Sequence, residues 1–167
     1  MKREMSIIVF WGAAWGIAEA TLGYMLHLLP VNIGWLFWFP IAFYFMKKAY
    51  TQTNKLSSII YISLIAAAIK LVNLLMPVRI DFVINPAVSI ILESMALYGA
   101  FKIANDKCIE IKGLSLYVGT MIVSLSWRIL YIVYELFLPT YLIKISPVGS
   151  LEQLVKFIFL ESAVNSL

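Results

Sequence analysis

Charge is scarce in this sequence. Only 13% of its 167 residues are Asp, Glu, Lys or Arg, and 62% are hydrophobic, whereas a soluble domain carries roughly a quarter charged residues. So little polar surface argues against a globule in water. Thiol and imidazole are scarcer still. The lone Cys108 excludes an internal disulfide and a Cys-rich metal site, and with His27 as the only histidine neither a zinc centre nor a thiol catalyst is expected. Also missing are G-x-x-x-x-G-K-[ST] for nucleotides, the G-x-S-x-G elbow, H-E-x-x-H and any Asp-rich metal motif. The chain therefore reads as a non-enzyme without a cofactor or metal, and any active transport would draw its energy from a partner or an ion gradient.

What is present is a series of long apolar runs with short basic clusters between them. The net charge of +4 lies in those clusters, a pattern of membrane topology rather than of nucleic-acid binding. Spans are expected at about 6–29, 35–46, 57–76, 85–101, 113–138 and 151–167, giving a single all-α membrane domain of six helices. Met1 to Arg3 followed by an apolar stretch and Ala18-Glu19-Ala20 imitates a cleaved signal peptide. The apolar run continues through Met25 and Leu26, so a spanning helix is the better reading. Pro30, Pro77 and Pro139 are expected to stop helices, and Pro86 to sit in a first turn, where its missing donor costs nothing. Arg79 and Asp81 mark a brief loop, and 140–150 an outer loop or interfacial piece. The last segment is about 25 Å of helix against about 30 Å of hydrocarbon.

Alternating through six spans puts Lys2, Arg3, Lys47, Lys48, Lys55, Lys102, Lys107 and Lys112 on one side and only Arg79 and Lys144 on the other. By the positive-inside rule the first side, with the N-terminus, is the cytoplasm. Trp35 and Trp38 fall near the outer interface.

Several polar residues sit inside the apolar runs: Glu19, Lys70, Asn73, Glu93, Arg128, Glu135, Glu161 and Asn165. An ionised group at mid-membrane costs several kcal/mol (about 2.5–3.5 on insertion scales), so each is expected to face an interior and find partners. Helical spacing agrees. Gly12, Gly16, Glu19, Ala20, Gly23 and His27 share one face; so do Ser63, Ala66, Lys70, Asn73 and Pro77; so do Ser89, Glu93, Ala96 and Ala100; and so do Tyr117, Thr120, Ser124, Arg128, Tyr131 and Glu135. At a rise of about 1.5 Å per residue these seams bring Glu19, Lys70, Glu93 and Arg128 to one level. There they would line an outward-opening cavity with Tyr24, Tyr131 or Tyr134. The plainer alternative is that these charges pair and lock the bundle with no ligand. His27 reads as an interface residue, and Glu152 with Lys156 as a surface pair. Leu-Glu-Ser occurs at 92–94 and again at 160–162, too short a match to establish a repeat.

The stripe Gly12, Gly16, Ala20 admits a close helix, within the chain or from a partner. With the turn from Leu28-Leu29-Pro30 to Gly34 into a short second helix, it gives the chain a resemblance to the substrate-binding S components of energy-coupling factor (ECF) transporters. These are small six-helix proteins of the cell membrane that capture vitamins or metal ions and dock through an Ala-x-x-x-Ala stripe, two of whose positions carry Gly here. The resemblance implies as partners a transmembrane coupling protein and two ATPases, met through Gly12, Gly16 and Ala20, and a role in vitamin or nutrient uptake.

The expected function is thus capture of a small polar or zwitterionic nutrient from outside and its release inward. Glu19, Lys70, Asn73, Glu93, Arg128 and Tyr131 would hold the substrate, the two cations suiting a carboxylate or phosphate. The alternatives are a non-transporting membrane subunit or assembly factor with structural charges, and an ion-coupled carrier.

Overall fold

The computed structural model describes residues 2–27, 34–106, 114–138 and 150–166, and among them every regular element is a helix. They are α1 (Lys2–His27), α2 (Gly34–Thr53), α3 (Ser57–Leu71) running into a 3-10 turn (Val72–Leu75), α4 (Asp81–Asp106), α5 (Leu114–Leu136) and α6 (residues 151–165). Three helical pieces make up α6: Leu151–Val155, the π-helical Lys156–Leu160 and Glu161–Asn165. The expected stops at Pro30 and Pro139, the loop at 140–149 with Lys144, and Lys107, Cys108 and Lys112 lie outside the described residues, as do the side chains of Gly23, Tyr24, His27 and Trp35.

Local chemistry sets the ends. Met76 is extended (φ −91°, ψ 157°) where the 3-10 turn stops, as a residue before Pro77 must be, because the proline ring disfavours its helical conformation. Asn54 ends α2 with φ 52°, its N–H donating to the Tyr50 carbonyl at 2.8 Å; asparagine tolerates this left-handed geometry better than most residues. Ser150 caps α6, its Oγ accepting from the Gln153 N–H at 3.2 Å.

Two helices outrun their apolar cores. α2 extends past 46 to Thr53, because nothing in Lys47 to Gln52 breaks a helix and its inner face buries Met46 and Ala49. α4 begins at Asp81 rather than near Asn85, so Pro86 lies inside the helix and not in its first turn. The cause is Asp81, whose carboxylate suits a helix N-terminus and is gripped by Arg79 Nε (3.1 Å) and Nη2 (2.6 Å). The brief loop expected there covers residues 76–80, but Asp81 lies in the helix that follows it and is buried in its ion pair with Arg79.

α3 sits at the centre, flanked by α1, α2 and α4, with α5 against α4 and α6 against α2 and α5. Contacts between chain ends fix the direction of each helix. Lys55 pairs with Glu4 at 2.9 Å, Trp11 Nε1 donates to Gln52 Oε1 at 2.9 Å, and Asn105 Nδ2 donates to the Tyr50 hydroxyl at 3.2 Å. The starts of α1 and α3 and the ends of α2 and α4 therefore share one end of the bundle. The start of α4 and the end of α5 share the other, where the Tyr134 hydroxyl reaches Asn85 Oδ1 at 3.4 Å.

Among the described residues four helices are long and apolar enough to cross a bilayer: Lys2–Leu22, Ser57–Leu75, Asp81–Asp106 and Tyr117–Leu136. The distribution of side chains is that of a membrane protein. Phe10, Ile17, Leu64, Met95, Ile122 and Ile129 point outward, while Glu19, Ser63, Lys70, Glu93, Ser94, Ser124 and Arg128 are buried. In water this arrangement would be inside out; in a bilayer it matches each surface to its solvent.

Candidate functional site

The small stripe of α1 determines how the interior is built. A Cβ on Gly12 would lie 2.8 Å from Ile65 Cβ, and one on Gly16 2.8 Å from Ile69 Cβ and 3.0 Å from the Ala66 Cα. Real Cβ atoms do not approach so closely, so these glycines let α1 lie directly on α3. The stripe expected to receive a partner's helix is therefore occupied by α3 of the same chain. One turn further along, Lys70 Nζ donates to the backbone carbonyl of Glu19 at 2.9 Å and Asn73 Nδ2 to that of Ala20 at 3.4 Å. Two polar side chains of α3 thus clasp the α1 backbone beyond its glycines.

α4 closes the other side of α3 through Ser63 Oγ, which donates to Ser94 Oγ at 2.8 Å. On the same face Glu93 is 5% exposed and lies within electrostatic reach of both Glu19 and Arg128. Glu19 in turn is within reach of Lys70, with the Trp15 indole against its carboxyl. Glu19, Lys70, Glu93 and Arg128, which spacing placed at one level, are therefore brought together.

Arg128 is the best-held group. Only 1% exposed, it donates from Nη1 to Ser124 Oγ (2.6 Å) and Ser162 Oγ (3.4 Å) and from Nη2 to Glu161 Oε2 (3.4 Å). Its guanidinium lies over Trp127 and Phe157, 4.8 and 5.1 Å from the ring centroids. Tyr131, buried as expected, is at the edge of this aromatic wall rather than on a charge of the centre: it packs on Trp127 and Phe157, and Glu135 and Asp81 are its charged neighbours.

The π-helical segment explains how α6 delivers three groups to one guanidinium. With about 4.4 residues per turn, a π turn places residues four and five steps on to either side of the starting azimuth. Phe157, Glu161 and Ser162 therefore all face Arg128; in a regular α-helix Ser162 would be swung about 140° from Phe157. Lys156 acts on Glu161 as well, and both it and Glu152 are exposed.

Sequence reasoning missed four contributors. Trp15 is wholly buried although its position lies off the polar stripe, Ser94 and Ser162 look unremarkable, and Glu161 was not placed with the binding set. The repeated Leu-Glu-Ser carried a signal: both copies put a glutamate within reach of Arg128 and a serine into a buried hydrogen bond.

These features define a class: an all-helical membrane-type bundle with a buried polar network spanning α1, α3, α4, α5 and α6. Comparison with known proteins finds no matching family model, no matching curated protein and no matching solved structure.

Proposed function

We propose that the chain is a multi-pass cell-membrane protein that captures a small polar solute in this network, as the substrate-binding subunit of an uptake transporter energised by a partner ATPase complex. Six spans with the N-terminus in the cytoplasm fit the basic residues: Lys2, Arg3, Lys47, Lys48, Lys55 and Lys102 belong to one end of the bundle, Arg79 to the other. The observation that carries the proposal is an acid at the centre without a partner of its own. Glu161 is bonded to Arg128 and Glu19 lies by Lys70, but Glu93 accepts no hydrogen bond among the described residues and has the carboxyl of Glu19 as well as Arg128 for a charged neighbour, so the network does not close on itself as a purely structural set of pairs would. Glu19, Lys70, Asn73, Glu93 and Arg128 form the inner surface, and Tyr131 flanks it. An intramembrane charge without full compensation is the ordinary mark of a substrate or ion path.

One observation favours a second reading, a non-transporting membrane subunit: Arg128 and Lys70 both donate to groups of this chain. Extraction in mild detergent, with mass spectrometry of the released small molecules, separates the two. Capture predicts a compound enriched with the wild type and absent from folded Arg128→Ala. A structural role predicts no such compound and loss of Arg128→Ala from the membrane.

A further inference from the structure

The network contains one acceptor and two donors that the chain itself leaves unanswered. Glu93, buried to 95% on the α4 face, accepts no hydrogen bond among the described residues, and one of its two charged neighbours is another carboxylate, Glu19. The other is Arg128, whose Nη atoms are already held by Ser124, Ser162 and Glu161. Lys70, whose ammonium donates to the Glu19 backbone carbonyl, is a charged neighbour of Glu19 and not of Glu93. On the donor side, Arg128 Nε and the Trp127 indole nitrogen are buried without hydrogen-bond partners, while the Trp15 indole is turned to the Glu19 carboxyl. Two carboxylates within electrostatic reach of one another in a low-dielectric interior repel unless one keeps its proton or a positive charge joins them. The unpartnered Arg128 Nε–H, on a side chain within reach of Glu93, calls for an acceptor.

From this geometry we infer that the substrate is a small zwitterion bearing a protonated amine. Its ammonium is received between Glu93 and Glu19, and an adjoining acceptor, such as its carboxylate, by Arg128 Nε. This rests on the capture reading above and reverses one emphasis of the sequence, in which the two cations suited a plain anion. Lys70 and most of Arg128 are engaged by the chain, so recognition turns on the acids. A divalent metal fits less well: such ions take six or more oxygen ligands or a compact set of His, Cys and acidic side chains, and no group of three or more such side chains gathers among the described residues. An amine needs only three acceptors at the ends of its N–H bonds. The indoles of Trp15 and Trp127, beside Glu19 and Arg128, supply the aromatic surface against which an ammonium is favourably held.

The test is calorimetric titration of the full chain in lipid nanodiscs. The probes are α-amino acids and short ω-amino acids, each beside its N-acetyl derivative, with acetate, benzoate and inorganic phosphate as amine-free probes. The inference expects binding by one or more free amines, loss of at least about tenfold in affinity on N-acetylation, and a similar loss with Glu93→Gln, tenfold being about 1.4 kcal/mol. Glu93→Gln nearly preserves shape, and its thermal midpoint shows that it is folded. Binding of an acetylated or amine-free probe that survives Glu93→Gln overturns the zwitterion and leaves capture standing. If no probe binds and Glu93→Gln is more stable than wild type, both fall, because Glu93 is then a buried acid better replaced by an amide.

Discussion

Arg128 illustrates how single side chains carry the account. A guanidinium offers five N–H donors in a rigid fork, and here that fork is spread over Ser124, Ser162 and Glu161 between two aromatic faces. Lysine, a point charge on a flexible stem, cannot reach all of them. Arg128→Lys is therefore expected to bind substrate no better than Arg128→Ala, although the charge is retained; a lysine variant with wild-type affinity in the same titration would refute this. Glu161 offers a stability test. Removing one partner of a buried pair strands the other charge, so Glu161→Ala should cost roughly 3–5 kcal/mol. Lys156→Ala, at an exposed position, should cost under about 1 kcal/mol. Chemical unfolding in mixed micelles measures both, and equal costs would mean that Arg128 does not depend on Glu161. The importance of Arg128 was legible from its place in an apolar run, because a charge in lipid demands an explanation. Ser162, Ser94 and Trp15 were not, because serine and tryptophan are at home both in spans and at interfaces.

At the level of the helix, the glycine face of α1 and the π-helical segment of α6 set the architecture. Gly16→Ala should destabilise the bundle by about 1–3 kcal/mol through overpacking against Ile69. Gly99→Ala, on α4 with open space around it, should be neutral or stabilising by up to about 1 kcal/mol, since alanine is the better helix former. Thermal midpoints of the two variants decide this, and a reversed order would place α1 elsewhere. In α6, Phe157→Ala should lose about 2 kcal/mol or more from its contacts with Arg128, Trp127 and Tyr131, whereas Phe159→Ala, exposed on the outer side, should lose little. Equal effects in the same assay would deny the inward turn of the π segment. The glycine spacing was readable from sequence because close approach needs small residues at four-residue intervals. Which helix filled the gap was not, since a groove admits a neighbour in the chain as readily as a stranger. The π segment left no readable sign at all: hydrophobic periodicity over Lys156 to Leu160 is compatible with either winding.

At the scale of the molecule, the sequence and the structure agree that apolar helices enclose polar seams. They differ where helices extend beyond their apolar cores, in α2 and α4, because hydropathy reports the solvent of a segment and not the end of its hydrogen-bonding ladder. The proposed topology has a direct check. In a Cys108→Ser background, cysteines at Lys47 and Lys102 should react with an impermeant maleimide only after cells are opened, and one at Arg79 in intact cells; labelling of Arg79 and Lys102 from the same side would break the arrangement. The central claim, that the buried network receives a small solute, is tested most directly by the thermal stability of the purified protein against a panel of amino acids, vitamins, vitamin precursors and metal ions. A ligand that binds only the folded form adds RT ln(1 + [L]/Kd), about 2.7 kcal/mol at a hundredfold excess over Kd. The account predicts that one chemical class raises the midpoint and that Arg128→Ala and Glu93→Ala, still folded, abolish the rise. No rise with any compound, in a protein that leaves the membrane bound to another subunit, would contradict it.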